Sequence, residues 1–106
     1  MKLCIIADDL TGALDSAAPF AGRGLAVQVA LSPEGTAAVA ASGAQVMAVS
    51  TRSRDGTPDA ARAAMAQVVA ALPAGVPVLK KIDSRLKGHL ATEISVLDPA
   101  RMLVAP

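Results

Sequence analysis

The amino-acid sequence predicts an α/β fold: an open parallel sheet of about five strands with helices on both faces, and an incomplete domain. Three features predict it. Short apolar runs recur along the chain, and each ends in a polar turn. Stretches with apolar residues at helical spacing separate these runs, with short connections. The runs are apolar throughout instead of alternating, which is the pattern of strands covered on both faces.

Leu3-Cys4-Ile5-Ile6-Ala7 is the first such run, and it stops at Asp8-Asp9. Thr11 is placed to cap a helix in which Leu14, Ala17, Ala18 and Ala21 recur at helical spacing. Pro19 should kink or end that helix, and Gly22 and Gly24 are stop signals. Ala26 to Leu31 reads as a second strand, followed by a turn at Ser32-Pro33-Glu34-Gly35 and a short helix from Thr36 to Ser42, closed by Gly43. Gln45 to Val49 is the third strand. After the polar stretch from Ser50 to Thr57, Pro58 and Asp59 mark a helix start, and Ala61, Met65, Val68 and Leu72 form its buried stripe. Pro73 to Pro77 breaks it. A fourth strand begins at Val78-Leu79 and reaches Lys81 or Ile82. Leu90, Ile94 and Leu97 mark a further helix ended by Asp98-Pro99, and Arg101 to Val104 is the fifth strand. No helix follows to cover the sheet there, hence the expectation of a chain that is part of something larger.

Composition bounds the function. The 106 residues fit one small domain, 53% hydrophobic and 18% charged, with a net charge of +1. Ten basic residues against nine acidic leave no excess for a polyanion, so nucleic acid is not an expected partner. No apolar run approaches the roughly 20 residues of a membrane span. The apolar stretch Leu3 to Ala7 is too short for a signal peptide. A single cysteine, Cys4, permits no internal disulfide, and no cluster suggests a structural metal. A soluble cytoplasmic protein is expected. With Phe20 its one aromatic residue, the core must be built from small aliphatic side chains.

In open parallel sheets, ligands bind beyond the carboxyl ends of the strands, near the point where strand order reverses. The polar residues fall at those ends. The first strand is followed by Asp8, Asp9 and Thr11. The third is followed by Ser50, Thr51, Arg52, Ser53 and Arg54, and the fourth leads into Lys80, Lys81, Asp83, Ser84, Arg85 and Lys87. Six of the ten basic residues lie in the last two segments. Arginine forks hold carboxylates, and aspartates accept hydrogen bonds from hydroxyls, so the combination suits a small, polyhydroxylated, anionic ligand. Taken singly, each piece has a plainer reading. Asp8-Asp9 serves as a helix cap, Arg52 and Arg54 as solvated loop charges, and Lys80-Lys81 as a strand edge with one wet side chain. His89 reads as a surface residue and Cys4 as a small core hydrophobe. Together, the three turns are expected to meet at one rim of the sheet. Neither G-x-x-x-x-G-K-[ST] nor G-x-G-x-x-G occurs, so a nucleotide would have to bind elsewhere.

Three blocks carry a family resemblance. Ile6-Ala7-Asp8-Asp9-Leu10-Thr11-Gly12-Ala13 with Asp15-Ser16-Ala17, then Ser50-Thr51-Arg52-Ser53-Arg54, then Lys80-Lys81-Ile82-Asp83-Ser84 with Leu86, Gly88 and Glu93-Ile94, resemble the four-carbon acid sugar kinase family. Arg85, Lys87 and His89 depart from the family's third block. The resemblance implies an ATP-dependent kinase that phosphorylates erythronate, threonate or 3-oxo-tetronate. Residues 1–106 would form the N-terminal part of its sugar-acid-binding domain. ATP and Mg2+ would be bound by a nucleotide-binding domain absent from this chain, which by itself would be inactive. The substrate-site residues it implies are Asp8, Asp9, Thr11, Arg54, Lys81, Asp83 and Ser84, joined by Arg52 from the second turn. Arg54 and Lys81 would hold the substrate carboxylate or the transferring phosphoryl group. Asp8, Asp9 and Asp83 would hold hydroxyls, one of them orienting or deprotonating the attacking oxygen. Two alternatives stand beside this reading. One is a receiver-like signalling module, which lacks its phospho-accepting aspartate after the third strand. The other is a non-catalytic truncated relic that binds small anionic ligands or folds as a homo-oligomer covering the fifth strand.

Overall fold

The computed structural model describes residues 1–106, and in it each apolar run is a strand. The strands are β1 (Leu3–Ala7), β2 (Val27–Ala30), β3 (Val46–Ser50), β4 (Val78–Lys81) and β5 (Met102–Ala105). All neighbours pair in parallel, in the order β2-β3-β1-β4-β5. Between them run the helices α1 (Leu10–Gly22), α2 (Thr36–Ala40), α3 (Pro58–Ala71) and α4 (Leu90–Ile94), with 3-10 turns at Pro33–Gly35 and Pro99–Arg101. No helix is long and apolar enough to cross a membrane.

The uninterrupted apolar run of β1 follows from its central place. Ile5 and Ala7 pack with Val46 and Ala48 of β3 against Ala13 and Ala17 of α1. Cys4 and Ile6 face the other way, with Met47, Val49 and Val78, against Met65 and Val68 of α3 and against Leu97. Helices therefore cover both faces, as expected. The alanine face of α1 lets that helix approach the sheet closely. On the opposite side α3 contributes Met65 and Val68, both fully buried, at roughly 1.5–3 kcal/mol each.

Several boundaries differ from expectation. Of the caps expected for α1, the acid pair supplies it and Thr11 does not: Asp9 Oδ1 accepts from Gly12 N at 2.9 Å. Asp9 has the shorter reach back to the helix N-terminus, and Thr11 already lies within the first turn, exposed. The helix also runs through Pro19 to Gly22. Pro19 sits near the C-terminal end, and Asp15, whose carbonyl loses its partner, is exposed and so open to water. In α3, Thr57 Oγ1 accepts from Ala60 N at 3.1 Å and Pro58 opens the first turn, but the helix ends at Ala71. Leu72 follows in extended conformation, half-buried, and still packs on the same core cluster as Met65 and Val68. The last helix is a single short turn, because Leu97 is buried beyond it and Asp98 caps the next 3-10 turn through Ala100 N at 3.0 Å. β2 is shorter than expected, and β3 and β5 are shifted one residue later.

This topology positions the site. The helix after β1 lies on one face, whereas α3, which follows β3, lies on the other. The carboxyl end of β1 thus opens a crevice where the neighbouring connections diverge, the usual ligand position in such sheets.

Candidate functional site

Three turns leave the sheet at this crevice: residues 8–9 after β1, 51–57 after β3, and 82–89 after β4. They meet on one guanidinium. Arg54 donates to Asp8 Oδ1 from Nη2 at 2.9 Å and from Nε at 3.2 Å. Its Nη1 lies 3.2 Å from Asp9 Oδ2, and its Nη2 lies 3.8 Å from Asp83 Oδ1. The shared rim inferred from the strand-end pattern is therefore present, with Arg54 at its centre. The Asp8 hydrogen bond is the main reason the Arg54 guanidinium holds its proton more firmly than usual, with the charges of Asp8, Asp9 and Asp83 adding to it.

The second turn is bent by its own residues. Thr51 N and Ser53 N donate to the carbonyl oxygens of Ala7 and Asp8, at 2.9 and 3.1 Å. Between them Arg52 takes a left-handed conformation, φ 55°, and swings its side chain outward. Thr51 and Ser53 point inward, where their hydroxyls lie 2.7 Å apart. In the third turn, Asp83 Oδ2 accepts from Lys87 N at 3.0 Å and Arg85 N at 3.1 Å. The Lys87 hydrogen bond first, and then Arg54, hold the Asp83 carboxyl below its ordinary range. Gly88, at φ 93°, brings the loop back over Asp8. His89 makes a hydrogen bond from its Nε2 edge to the Gly56 carbonyl oxygen, so it links the second turn to the third.

A cavity of about 590 Å³ opens on this cluster, lined by Asp8, Asp9, Ser50, Arg52, Arg54 and Asp55, with Leu10 and Leu31 as apolar wall. Three carboxylates face two guanidiniums there, and Arg54 is already committed to aspartates. Asp8 Oδ2 and Ser50 Oγ are buried without a hydrogen-bond partner. Unpaired polar atoms of this kind are uncommon in native proteins and ask for a partner.

The remaining expected site residues are placed less centrally. Thr11 and Ser84 are exposed beside the cluster, and Lys81 is half-buried, donating from Nζ to the Ile82 carbonyl oxygen at 2.7 Å. Lys80 lies deeper. Of the two strand-edge lysines, it is the one turned inward: it is fully buried, with Nζ 2.9 Å from Glu93 Oε1. That approach lies outside hydrogen-bond geometry and is an ion contact. Glu93 Oε2 accepts from Ser53 Oγ at 2.8 Å. Lys80, Glu93 and Ser50 fall in the expected turns and motif blocks but not among the substrate-site residues that the resemblance implies. The signal was there for the first two: a lysine inside an apolar strand, and a glutamate between Leu90 and Leu97 on the stripe that should be buried.

The whole chain is similar to known proteins. Residues 3–106 match a family described as the sugar-binding N-terminal domain. A curated D-threonate kinase from Bordetella bronchiseptica is 40% identical over 102 residues, covering 92% of this chain and 24% of that kinase. Two crystal structures of a domain of unknown function from Bordetella bronchiseptica, both domain-swapped dimers with bound citrate, superpose with a TM-score of 0.71. One is 35% identical and covered over 91% of this chain, the other 38% identical and covered over 90%. The chain spans about a quarter of the length of these relatives.

Proposed function

The chain belongs to the family of sugar-binding N-terminal domains, the domain its residues share with four-carbon acid sugar kinases, and from that premise we propose that it is the substrate-binding portion of such a kinase. The substrate is a four-carbon sugar acid, erythronate, threonate or 3-oxo-tetronate, and the phosphoryl donor is ATP. One observation carries the reading: three turns from three strands deliver Asp8, Asp9 and Asp83 to the single guanidinium of Arg54, at the crevice where such sheets bind ligands.

Because Arg54 is engaged by aspartates, its part is to hold them in place, and ligand hydroxyls bind the open carboxylate of Asp9. Arg52, exposed and lining the same cavity, takes the carboxylate of the acid, and Lys81, beside Gly12 at the start of α1, is the second cation for it. Thr11 and Ser84 add hydroxyl contacts from the rim. Of the three candidate bases, Asp9 suits best. Asp8 is covered, at 2% exposure, and Asp83 is bound to its own loop with a lowered pKa, whereas Asp9 keeps 33% of its side chain open.

These residues do not fit ATP and Mg2+. Paired carboxylates follow β1 where a polyphosphate would need backbone N–H groups and cations, and no set of three or more metal-ligating side chains is gathered to hold an ion. The reading assigns both to a nucleotide-binding domain outside residues 1–106. Nothing favours the signalling alternative, since buried Ser50 ends β3 where a phospho-accepting aspartate would be needed.

The test is a nuclear magnetic resonance titration of the chain with D-threonate, erythronate and citrate, the last being what the structural neighbours hold. Saturable shifts confined to residues 8–12, 50–55 and 82–88, lost in Asp9→Ala and Arg52→Ala, are expected. Binding of none of the three acids overturns the reading. Self-association belongs to the same proposal, because both structural neighbours are domain-swapped dimers, and sedimentation of the chain checks it.

A further inference from the structure

Lys80 and Glu93 form an ion pair with both side chains at 0% exposure. Packing alone does not call for it. Lys80 lies in one row across the sheet with Ala30, Val49, Ile6 and Val104, so an aliphatic residue would continue that row. Buried pairs of this kind contribute little net stability, because desolvation offsets most of their attraction, and well-packed apolar replacements are often as stable or more so. The free energy of the pair does not explain it, but its connections do.

Glu93 Oε2 accepts from Ser53 Oγ at 2.8 Å, and Ser53 Oγ lies 2.7 Å from Thr51 Oγ1. Thr51 Oγ1 in turn lies 3.1 Å from the Ala7 carbonyl oxygen, which also accepts from Thr51 N. The network therefore runs from β4 and α4, through the inward side of the second turn, to the end of β1. It grips the residues on either side of Arg52, whose left-handed backbone is strained for a side chain of that size. Arg54 follows directly, aimed at Asp8 and Asp9.

We infer that Glu93, oriented by Lys80, is a positioning residue: through Ser53 it fixes the 51–54 turn and thereby sets the Arg54 guanidinium against the aspartates of the sugar-acid site. The ligand arm of the test rests on the function proposed above, and the arm that follows Arg54 itself does not.

Two variants separate positioning from plain structural support. Ser53→Ala leaves the ion pair and cuts its link to the turn. Lys80→Met with Glu93→Leu removes the pair and keeps an apolar fill. In the wild-type chain the Arg54 Nε–H resonance should be resolved and slow to exchange, because Nε donates to Asp8 Oδ1. Both variants are expected to remain folded, Ser53→Ala with a lowered melting temperature because Glu93 Oε2 loses its donor, yet to lose that protection and bind D-threonate about tenfold or more weakly, as misplaced binding groups do. An Arg54 Nε–H as protected in folded Ser53→Ala as in wild type overturns the inference, and so does unchanged affinity in that variant. If the double variant fails to fold, Ser53→Ala decides. If the wild-type chain binds no D-threonate, the substrate reading falls while the Arg54 resonance still decides the positioning.

Discussion

Gly88 lies against the carboxylate of Asp8 so closely that a Cβ at position 88 would overlap Asp8 Oδ2. Its φ of 93° is also one that residues with side chains rarely adopt. A loop from β4 is thus folded onto the acid that follows β1, and only glycine allows both the approach and the conformation. Gly88→Ala is expected to destabilise the chain by about 1–3 kcal/mol, the usual cost of such backbone strain. Urea unfolding measures it. A variant as stable as wild type would mean that the loop stands off from Asp8 in solution.

The Arg54 fork makes a sharper prediction. Asp8 is almost fully buried, and its Oδ1 takes both Nε and Nη2. Arg54→Ala strands that carboxylate, at a cost of about 2–4 kcal/mol for a partly shielded charge that loses its partner. Arg54→Lys should recover less than half of it, because a single ammonium cannot span Asp8 and Asp9 as the planar fork does. In a longer protein that joins this chain to the nucleotide-binding domain proposed above, the same pair of variants should lose turnover in the same order.

Asp83 ties stability to acid pH. Its carboxyl is held below the ordinary range by the Lys87 N–H, then by Arg54 and the Arg85 N–H. A depressed pKa means that the unfolded chain takes up the proton first. The stabilisation is complete above the ordinary aspartate pKa of about 3.9 and is lost as pH falls below it. Wild type should therefore exceed Asp83→Asn by a constant margin near neutrality, and that margin should shrink on acidification. An equal margin at all pH values would exclude Asp83 as the group.

What the sequence disclosed and what it hid have one cause. The strands and the shared rim were legible because hydrophobic runs and the polar residues that end them are local signals. Asp8, Asp9, Arg54 and Asp83 sit next to strand ends, and parallel strands put those ends together. The role of Arg54 was not legible, because whether a guanidinium meets a ligand or three aspartates depends on turns whose shape is set by Arg52, Leu86 and Gly88 at positive φ. Lys80 and Glu93 lie thirteen positions apart in sequence, and although each is a charge at an apolar position, nothing local says that they pair with one another. The end of α3 was misplaced for a simpler reason: Leu72 fits the stripe, and the break comes one residue before Pro73, where the helical conformation is disfavoured.

Cys4 lies inside β1 with no exposure, and burial pushes its thiol up to about 12. The native chain should be silent to a water-soluble disulfide reagent at about pH 8 and react only after unfolding, since the thiolate is the reactive form. The sign at alkaline pH also follows. The folded state keeps the proton that the unfolded chain gives up, so stability is complete below the reference value of 9.0 and declines as pH rises from there toward about 12. Cys4→Ala should flatten that decline while lowering stability at neutral pH, and a wild-type thiol titrated at its ordinary pKa under native conditions would contradict the buried placement.

Pro19 offers a gain where the others predict losses. It lies within α1, where its ring removes one backbone hydrogen bond to the Asp15 carbonyl and crowds it. Both residues are exposed, so neither tertiary packing nor the site holds the proline in place. Against this, proline restricts the unfolded chain, an advantage of about 0.4–1 kcal/mol that alanine forfeits. An interior proline costs about 3 kcal/mol relative to alanine, and one near the helix end costs less, so the balance favours alanine by about 1–2 kcal/mol. Pro19→Ala should raise the melting temperature by about 4–8 °C for each kcal/mol gained in a domain of this size. A variant that melts lower would show that α1 follows a different path beyond Ala18 in solution, with Phe20 no longer anchored on the β-sheet face where it now packs.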